Sequence, residues 1–454
     1  MKTFALTILF FAVFALQGQN SQANQPNEAV TVLTLDDCVN YALENNITLK
    51  RARNGELAAK ANHFQAIMNY FPSLNASTNY DFFFGNFFDQ NAARQVSETT
   101  NSSNPRLSSS LVLFNGFANQ YNLKQRIQER KAAEENVKST QLTVQTNILF
   151  FYLSVATSKE TVKVSQDRVN NLQEQLDREV KRIEVGVGDP QTAYQLRGQL
   201  SNEKLNLTNA RNQLRSNLLL LVQEMQLDTE VAYDISTAEV SDEDLLLEID
   251  PFDVVLSESV NINPQLKGTE ANYAASRYAL KGARAARIPT FRVSGTLGSN
   301  YSSNGARNPE TGEFEADATF SDQIEFNKFE YVNFSVNIPI FNQYQTSTNV
   351  QVAKVGFLNA ELDRQATINT ITNTVQRVYL DLVAGQQTYL SARENMEAQN
   401  SSFEFVKKRF DVGSTDFNSY LQSLRNKNQA EFQLVSSKYE ILFRKKILDL
   451  YRGI

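Results

Sequence analysis

Two hydrophobic periods alternate along this chain, and the whole alternation occurs twice. A helical pattern opens at Thr34-Leu35-Asp36-Asp37, where a threonine followed three positions later by an acid reads as a capping box, and it runs to Phe71-Pro72. The period then changes to two. Leu74, Ala76, Thr78, Tyr80, Phe82 and Phe84 alternate with Asn75, Ser77, Asn79 and Asp81, and a second strand sets Leu107, Ser109, Leu111 and Leu113 on one face. The later half repeats this with a helix from near Pro251 to Pro289. Its strands place Phe291, Val293, Gly295, Leu297 and Tyr301, then Val332, Phe334, Val336, Ile338 and Ile340, on their apolar faces. One apolar and one polar face suits a soluble sandwich, or a barrel with lipid outside and water inside. The pattern alone leaves both open.

The helices that follow narrow the choice. From Phe117 to Val185 there is neither Gly nor Pro, enough for a rod of roughly 100 Å at about 1.5 Å per residue. Val162, Val169, Leu176 and Ile183 form a seven-residue seam on this stretch, echoed by Tyr389, Met396, Phe403 and Phe410. The returning helices carry Leu200, Leu207, Leu214 and Leu221, echoed by Leu434, Ile441 and Leu448, with Lys427 interrupting the second seam. Such spacing predicts coiled-coil packing.

The halves correspond residue by residue. Asn46-Ile47 recurs 217 positions on as Asn263-Pro264, and Phe71-Pro72 as Ile288-Pro289. Leu113-Phe114-Asn115 recurs 227 positions on as Ile340-Phe341-Asn342, and Arg182 with Val185-Gly186 as Arg409 with Val412-Gly413. The expected organisation is a first repeat over 24–249, with a strand hairpin at 73–114, a long helical hairpin at 116–226 and a connecting segment at 225–249. A second repeat covers 250–454, with hairpins at 289–341 and 343–453. The polar, turn-rich stretches 85–104 and 302–327 read as loops between the strands.

Composition sharpens this picture. With only 17 Gly, 9 Pro and no Trp in 454 residues, the chain favours long regular elements. A mean hydropathy of -0.39 excludes a bundle of membrane-spanning helices. The net charge of -6, without a basic patch, speaks against nucleic acid as a partner. Lys2 and the apolar run from Phe4 to Leu16 read as a secretory signal over 1–23, cleaved after Gln19 or Ala23; a buried N-terminal helix is the competing reading. Cys38 is the single cysteine and lacks the small-residue context of a lipidation site, so no lipid anchor is expected. His63, the one histidine, has no ligand-spaced neighbours, and Gly186-Val187-Gly188 follows a helix rather than a strand; no metal, cofactor or enzymatic site is expected.

Signal, helix, strand hairpin and long helical hairpin, all doubled, resemble the TolC-like outer-membrane efflux protein family over nearly the whole mature chain. The residues carrying the resemblance are Leu35 to Asn46, the strand-to-helix corner Leu113-Phe114-Asn115-Gly116 with its counterpart Phe341-Asn342, and the tips Arg182-Ile183-Glu184-Val185-Gly186 and Arg409-Phe410-Asp411-Val412-Gly413. The resemblance implies a mixed α and β membrane protein: a homotrimer whose chains each give four strands to a twelve-stranded outer-membrane barrel, continued by a coiled-coil tunnel through the periplasm. It implies a periplasmic adaptor at the tips, an inner-membrane pump of RND or ABC type, outer-membrane lipid around the barrel, and a Gram-negative host. Gly186, Val187, Gly188, Gly413, Ser414 and Thr415 would then form the adaptor dock. The family's tip latch would fall on Phe410, Thr415, Ser419 and Gln422, with Gln191 and Thr192 opposite, so its familiar charged groups are missing here. Asp189 and Asp416 nearby read either as acidic rings in a trimer or as helix N-terminal residues. The expected task is a passive exit duct for small molecules. The alternatives are a protein-secretion duct and, in another class, a soluble periplasmic scaffold or adhesin.

Overall fold

The computed structural model describes residues 31–89, 93–96, 99–236, 245–246 and 248–453. The expected signal peptide lies outside the described residues, as do 237–244 and 247 of the connecting segment. Strand β1 (Thr31–Leu33) leads into helices α1 (Leu35–Asn45) and α2 (Ile47–Met68). Strands β2 (Ser73–Ser77), β3 (Tyr80–Phe83), β4 (Phe87–Asp89), β5 (Arg94–Val96), β6 (Thr100–Ser103) and β7 (Arg106–Phe114) follow. Then come helices α3 (Ala118–Glu184) and α4 (Pro190–Glu224), strand β8 (Tyr233–Ile235), and helices α5 (Phe252–Ile262) and α6 (Pro264–Ala285). Strands β9 (Thr290–Gly298), β10 (Tyr301–Ser302), β11 (Ala306–Arg307) and β12 (Phe314–Glu315) precede helix α7 (Phe320–Phe326) and strand β13 (Phe329–Asn337). Helices α8 (Gln345–Asp411) and α9 (Phe417–Arg452) end the chain.

Thr34 caps α1 with the capping box seen in the sequence, its hydroxyl accepting from Asp37 N–H while Asp37 accepts from Thr34 N–H. The single helix expected up to Phe71 is broken at Asn46. This residue leaves the helical region (φ -57, ψ 126), and its side chain accepts from Thr48 and Leu49 N–H, capping α2. Asn263 does the same for α6, helped by Pro264 at its first position. Both asparagines are buried.

Four strands pair antiparallel in the order β13-β9-β7-β2. The register places Leu74 opposite Ser109, Leu107 opposite Leu297, Leu111 opposite Val293, and Phe334 opposite Val293, so the apolar residues share one face. Ser108, Ser110, Ser294, Thr296 and Asn333 share the other. A bulge between Val112 and Phe114 adds one residue just before the helix. The first strand does not run unbroken from Leu74 to Phe84 as its pattern suggested. It splits at Thr78-Asn79, and β3 joins a separate three-stranded sheet, β10-β6-β3. Tyr80 pairs with Ser103, and Ser103 with Tyr301, in the register set by Ala76–Leu107 and Leu107–Leu297. The small sheet therefore continues the large one beyond Pro105, which has no N–H to donate. The stretches read as loops hold more structure than expected: hairpins β4–β5 and β11–β12, and helix α7 with its own capping box at Thr319.

Helices α3 and α8 each run 67 residues, about 100 Å. Helix α4 returns along α3, α9 returns along α8, and α9 also lies against α3, joining the two hairpins. Helix α6 is sandwiched between α3 and α8. Helix α2 lies against α3, while its Leu57 and Phe64 are each 61% exposed. A matching bare stripe, Val352, Val355, Leu358 and Leu362, runs down α8. Every predicted seam residue is buried or half-buried, and Leu172, Leu176, Leu196, Leu200, Phe403 and Tyr420 form one continuous core between the hairpins. Lys427, where the seam breaks, sets its ammonium 5.0 Å from the centre of the Phe403 ring. Midway up, β1 pairs parallel with β8, and Lys159 ties this ribbon to α3 through Asp234 (2.7 Å) and the Ile235 carbonyl (2.9 Å). Cys38 is fully buried against α3, and burial pushes its thiol up to about 12, so it belongs to the core. No described helix is long and apolar enough to cross a membrane.

Candidate functional site

The far ends of the two helical hairpins are tight turns built around glycine. At the first, Gly186 (φ +81) takes the left-handed conformation that ends α3. The N–H groups of Val187 and Gly188 both donate to the Arg182 carbonyl at 2.9 Å. Gly188 is needed for closeness rather than for its backbone angle: a Cβ there would lie 2.4 Å from the Ile183 nitrogen. Asp189 then caps α4, accepting from Gln191 N–H (3.0 Å), Thr192 N–H (3.1 Å) and the Thr192 hydroxyl (2.7 Å). Pro190 occupies the first helical position. The Asp189 N–H donates to Glu179 at 2.8 Å, a buried acid also 3.5 Å from Arg182.

The second tip has the same outline and different fastenings. Gly413 (φ +73) donates to the Phe410 carbonyl, and Ser414 N–H to the Arg409 carbonyl at 2.8 Å. Arg409, the counterpart of Arg182, curls over the turn and donates to the Ser414 carbonyl at 3.0 Å and its hydroxyl at 3.3 Å. Asp416 caps α9 through Ser419 N–H (2.9 Å) and the Ser419 hydroxyl (2.7 Å). Thr415 is half-buried in the turn, while Gln422 lies further along and bonds Asn426 and Arg425 on its own helix. Val185, Val187 and Val412 stand exposed at the two apices.

Asp189 and Asp416 each cap the helix that follows them. Hydrogen bonds from Thr192 and Gln191 hold the Asp189 carboxyl below its ordinary range, and those from the Ser419 backbone and hydroxyl do the same for Asp416. Gln191 is exposed beside the turn, Thr192 is buried within it, and Ser419 faces solvent.

Phe410 belongs to a group the sequence reading did not assemble. Its ring stacks on Tyr420 at 4.9 Å and lies 5.7 Å from Phe417, while Phe403 is 5.7 Å from Tyr420. Tyr420 is 1% exposed, and burial pushes its hydroxyl up to about 12. The seven-residue spacing of Phe403, Phe410 and Phe417 carried this signal, with Tyr420 one turn on. Glu179 was missed because an acid inside an apolar seam reads as an interruption.

At the opposite end of α3, Phe114 packs edge-on against Phe117 (5.4 Å) and lies 6.0 Å from Phe291. Asn115 bonds Asn119 in the first turn of the helix. Gly116 (φ +64) sits where a Cβ would meet Ile288 at 2.7 Å and the Ala285 carbonyl at 2.8 Å. In the second corner Asn342 bonds Thr346, Phe341 is exposed, and Gln343 and Tyr344 hold the left-handed conformation without glycine.

The comparisons agree with this architecture. The TM-score is 0.76 against the CmeC outer membrane channel of Campylobacter jejuni, at 19% identity, covering 92% of this chain and 85% of that one. It is 0.75 against the outer membrane protein VceC of Vibrio cholerae, at 13% identity, covering 92% and 96%. Identities this low establish a shared fold: a long helical tunnel segment with a small β domain. Toxin and drug export protein A of Aggregatibacter actinomycetemcomitans is 20% identical over 330 residues, 69% of this chain and 64% of that protein's length. The family model described as outer membrane efflux protein matches residues 38–225 and 255–449. With both repeats matched, and with strands, rods and tips in the corresponding order, the chain belongs to the outer membrane efflux protein family.

Proposed function

We propose that three copies of this chain assemble into a passive exit duct of the Gram-negative outer membrane, serving small-molecule efflux. The observation that carries the reading is the four-stranded sheet. Its register gathers exposed Leu, Val and Phe on one face and mostly polar residues on the other, yet β2 and β13 remain unpaired edges. Open edges are not tolerated in lipid. Pairing β13 of one copy with β2 of the next closes a twelve-stranded wall with its apolar face outward. The helical hairpins then extend about 100 Å to one side, as a duct through the periplasm requires. The chain performs no chemistry on its cargo. Division into repeats 24–249 and 250–454 follows the doubled order of elements.

The tips are the proposed dock for a periplasmic adaptor, itself coupled to an inner-membrane pump of RND or ABC type. Gly186, Val187 and Gly188 with Gly413, Ser414 and Thr415 form short rigid turns that present exposed valines. In place of a charged latch, the second tip would be held by packing of Phe410 against Phe417 and Tyr420.

The test is photo-crosslinking in living cells with the probe at Val187 and, separately, at Ser414, followed by mass spectrometry. Capture of a periplasmic adaptor at both positions is expected, and the class of the attached pump separates efflux from protein secretion. Capture of sister chains alone, from a trimer extracted in detergent, would remove the docking assignment. A chain recovered in the soluble fraction without detergent would support the scaffold alternative and end the channel reading.

A further inference from the structure

We infer that the strand-built part of the duct favours anionic solutes, and that Arg106 and Arg292 set this preference. The inference rests on the barrel reading above. The sheet register sorts every strand residue onto one face or the other. One row across the sheet reads Ser77, Arg106, Gly298, Phe329, and another reads Val112, Arg292, Ser335. Both arginines therefore lie on the polar face, the one turned to the lumen, and both are exposed. On that face of β2, β7, β9 and β13 they are the only charged residues, the rest being Ser, Thr, Asn, Gly, Val and aromatic. Neither guanidinium has an ion-pair partner among the described residues. Glu330, the one acid on these strands, is paired with Leu297 on the opposite face.

Gly298 and Arg292 are six residues apart on β9, so the two arginine levels are separated by roughly 20 Å along the strand. Three chains would place three guanidinium groups at each level. A guanidinium stays charged at every physiological pH. A narrow watery passage with a low-dielectric wall focuses such a field. At the Arg106 level the Phe329 ring lies over Gly298, where a Cβ would come 2.6 Å from it, and Phe329 stacks with Tyr331 at 6.3 Å. Cations beside ring surfaces suit organic anions with an apolar body.

Acidic residues elsewhere do not cancel this. Asp81 shares the luminal face but lies four residues beyond the Arg106 row, in the small outer sheet, where its carboxylate accepts from Asn79. Of the acids in the stretch 310–325, Asp322 is held in its own helix cap by Thr319, and Glu325 is offset by Lys328, which lines the same cavity as Arg106 and Ile324. Asp189 and Asp416 cap helices at the other end of the rods. Charges further away than the ~8 Å screening length at physiological salt contribute little at the arginine levels.

The test uses the full-length protein in intact cells. Ser294→Cys places a reporter on the luminal face between the two arginine levels, and Phe334→Cys places one on the lipid face. Native Cys38 stays silent because it is fully buried and its thiol is pushed up to about 12. Each variant is labelled from outside with anionic sulfonatoethyl and cationic trimethylammonioethyl methanethiosulfonate. At Ser294→Cys the anionic reagent should react faster relative to its rate with a free thiol, and Arg106→Gln/Arg292→Gln should lower the anion-to-cation rate ratio about tenfold. An unmoved ratio would overturn the inference and leave the duct standing. Labelling of Phe334→Cys as fast as Ser294→Cys would overturn the barrel reading, and the inference with it.

Discussion

At the residue scale the tips show how the same turn can need glycine for two unrelated reasons. Gly186 has open space where a Cβ would go but sits at φ +81, so Gly186→Ala should cost roughly 1–2 kcal/mol, with Gly186→Asn recovering part of it. Gly188 has an ordinary backbone angle and no space, so Gly188→Ala should cost roughly 1–3 kcal/mol with no relief from asparagine. Hydrogen exchange of the Val187 and Gly188 amides, both bonded to the Arg182 carbonyl, distinguishes the two cases. The caps give a sign as well. Asp189 and Asp416 have folded-state carboxyl groups held below the ordinary range, so their contribution is fully present above the unfolded value of about 3.9. It is lost only as pH falls through the lower folded value. Amide protection at Thr192 and Ser419 should therefore stay level from about pH 8 to pH 5 and fall in stronger acid. Asp189→Asn should keep an acceptor for the cap and abolish that fall at Thr192.

At the scale of elements, what the sequence revealed depended on whether a period was involved. The seams from Val162 to Ile183 and from Leu200 to Leu221 were legible because a seven-residue repeat leaves one packing solution, and all of them are buried or half-buried. The strand faces were legible for the same reason. The breaks at Asn46 and Asn263 were not, because both asparagines sit in otherwise helical patterns; only Pro264 marks the second. Asn46→Ala removes the acceptor for Thr48 and Leu49 N–H and should cost about 1 kcal/mol, read as a fall in the thermal midpoint of the detergent-solubilised protein. Of the outer sheet, β3 and Tyr301 were legible through their aromatic alternation, whereas the polar strand β6 and helix α7 escaped within stretches that read as loops. Gln323, buried and bonded to Ser302 and Ala318, looks like any loop glutamine until the fold surrounds it. The tip turns were legible as turns, but their different fastenings, Glu179 in one and Arg409 in the other, depend on contacts that no spacing encodes.

At the scale of the molecule, the two faces of the sheet predict opposite tolerance at neighbouring positions. Phe334→Arg, on the outward face, should cost roughly 2–4 kcal/mol per chain and deplete assembled trimers, while Ser335→Arg, one residue on, should assemble normally. Heat-modifiable migration of the trimer in gels measures both. The sandwich of α6 between α3 and α8 has a further consequence for the proposed ring. Within a chain this joint is complete, whereas α2 and α8 each present a bare half, with Leu57 and Phe64 on one and Val352 to Leu362 on the other. Bringing three copies together would complete three more joints of the same plan from different side chains. The circumference would then look six-fold in outline while alternating between covalently tethered joints and joints held by contact alone. Any widening of such a ring would be shared unequally, with the untethered joints yielding first and each chain moving as a unit.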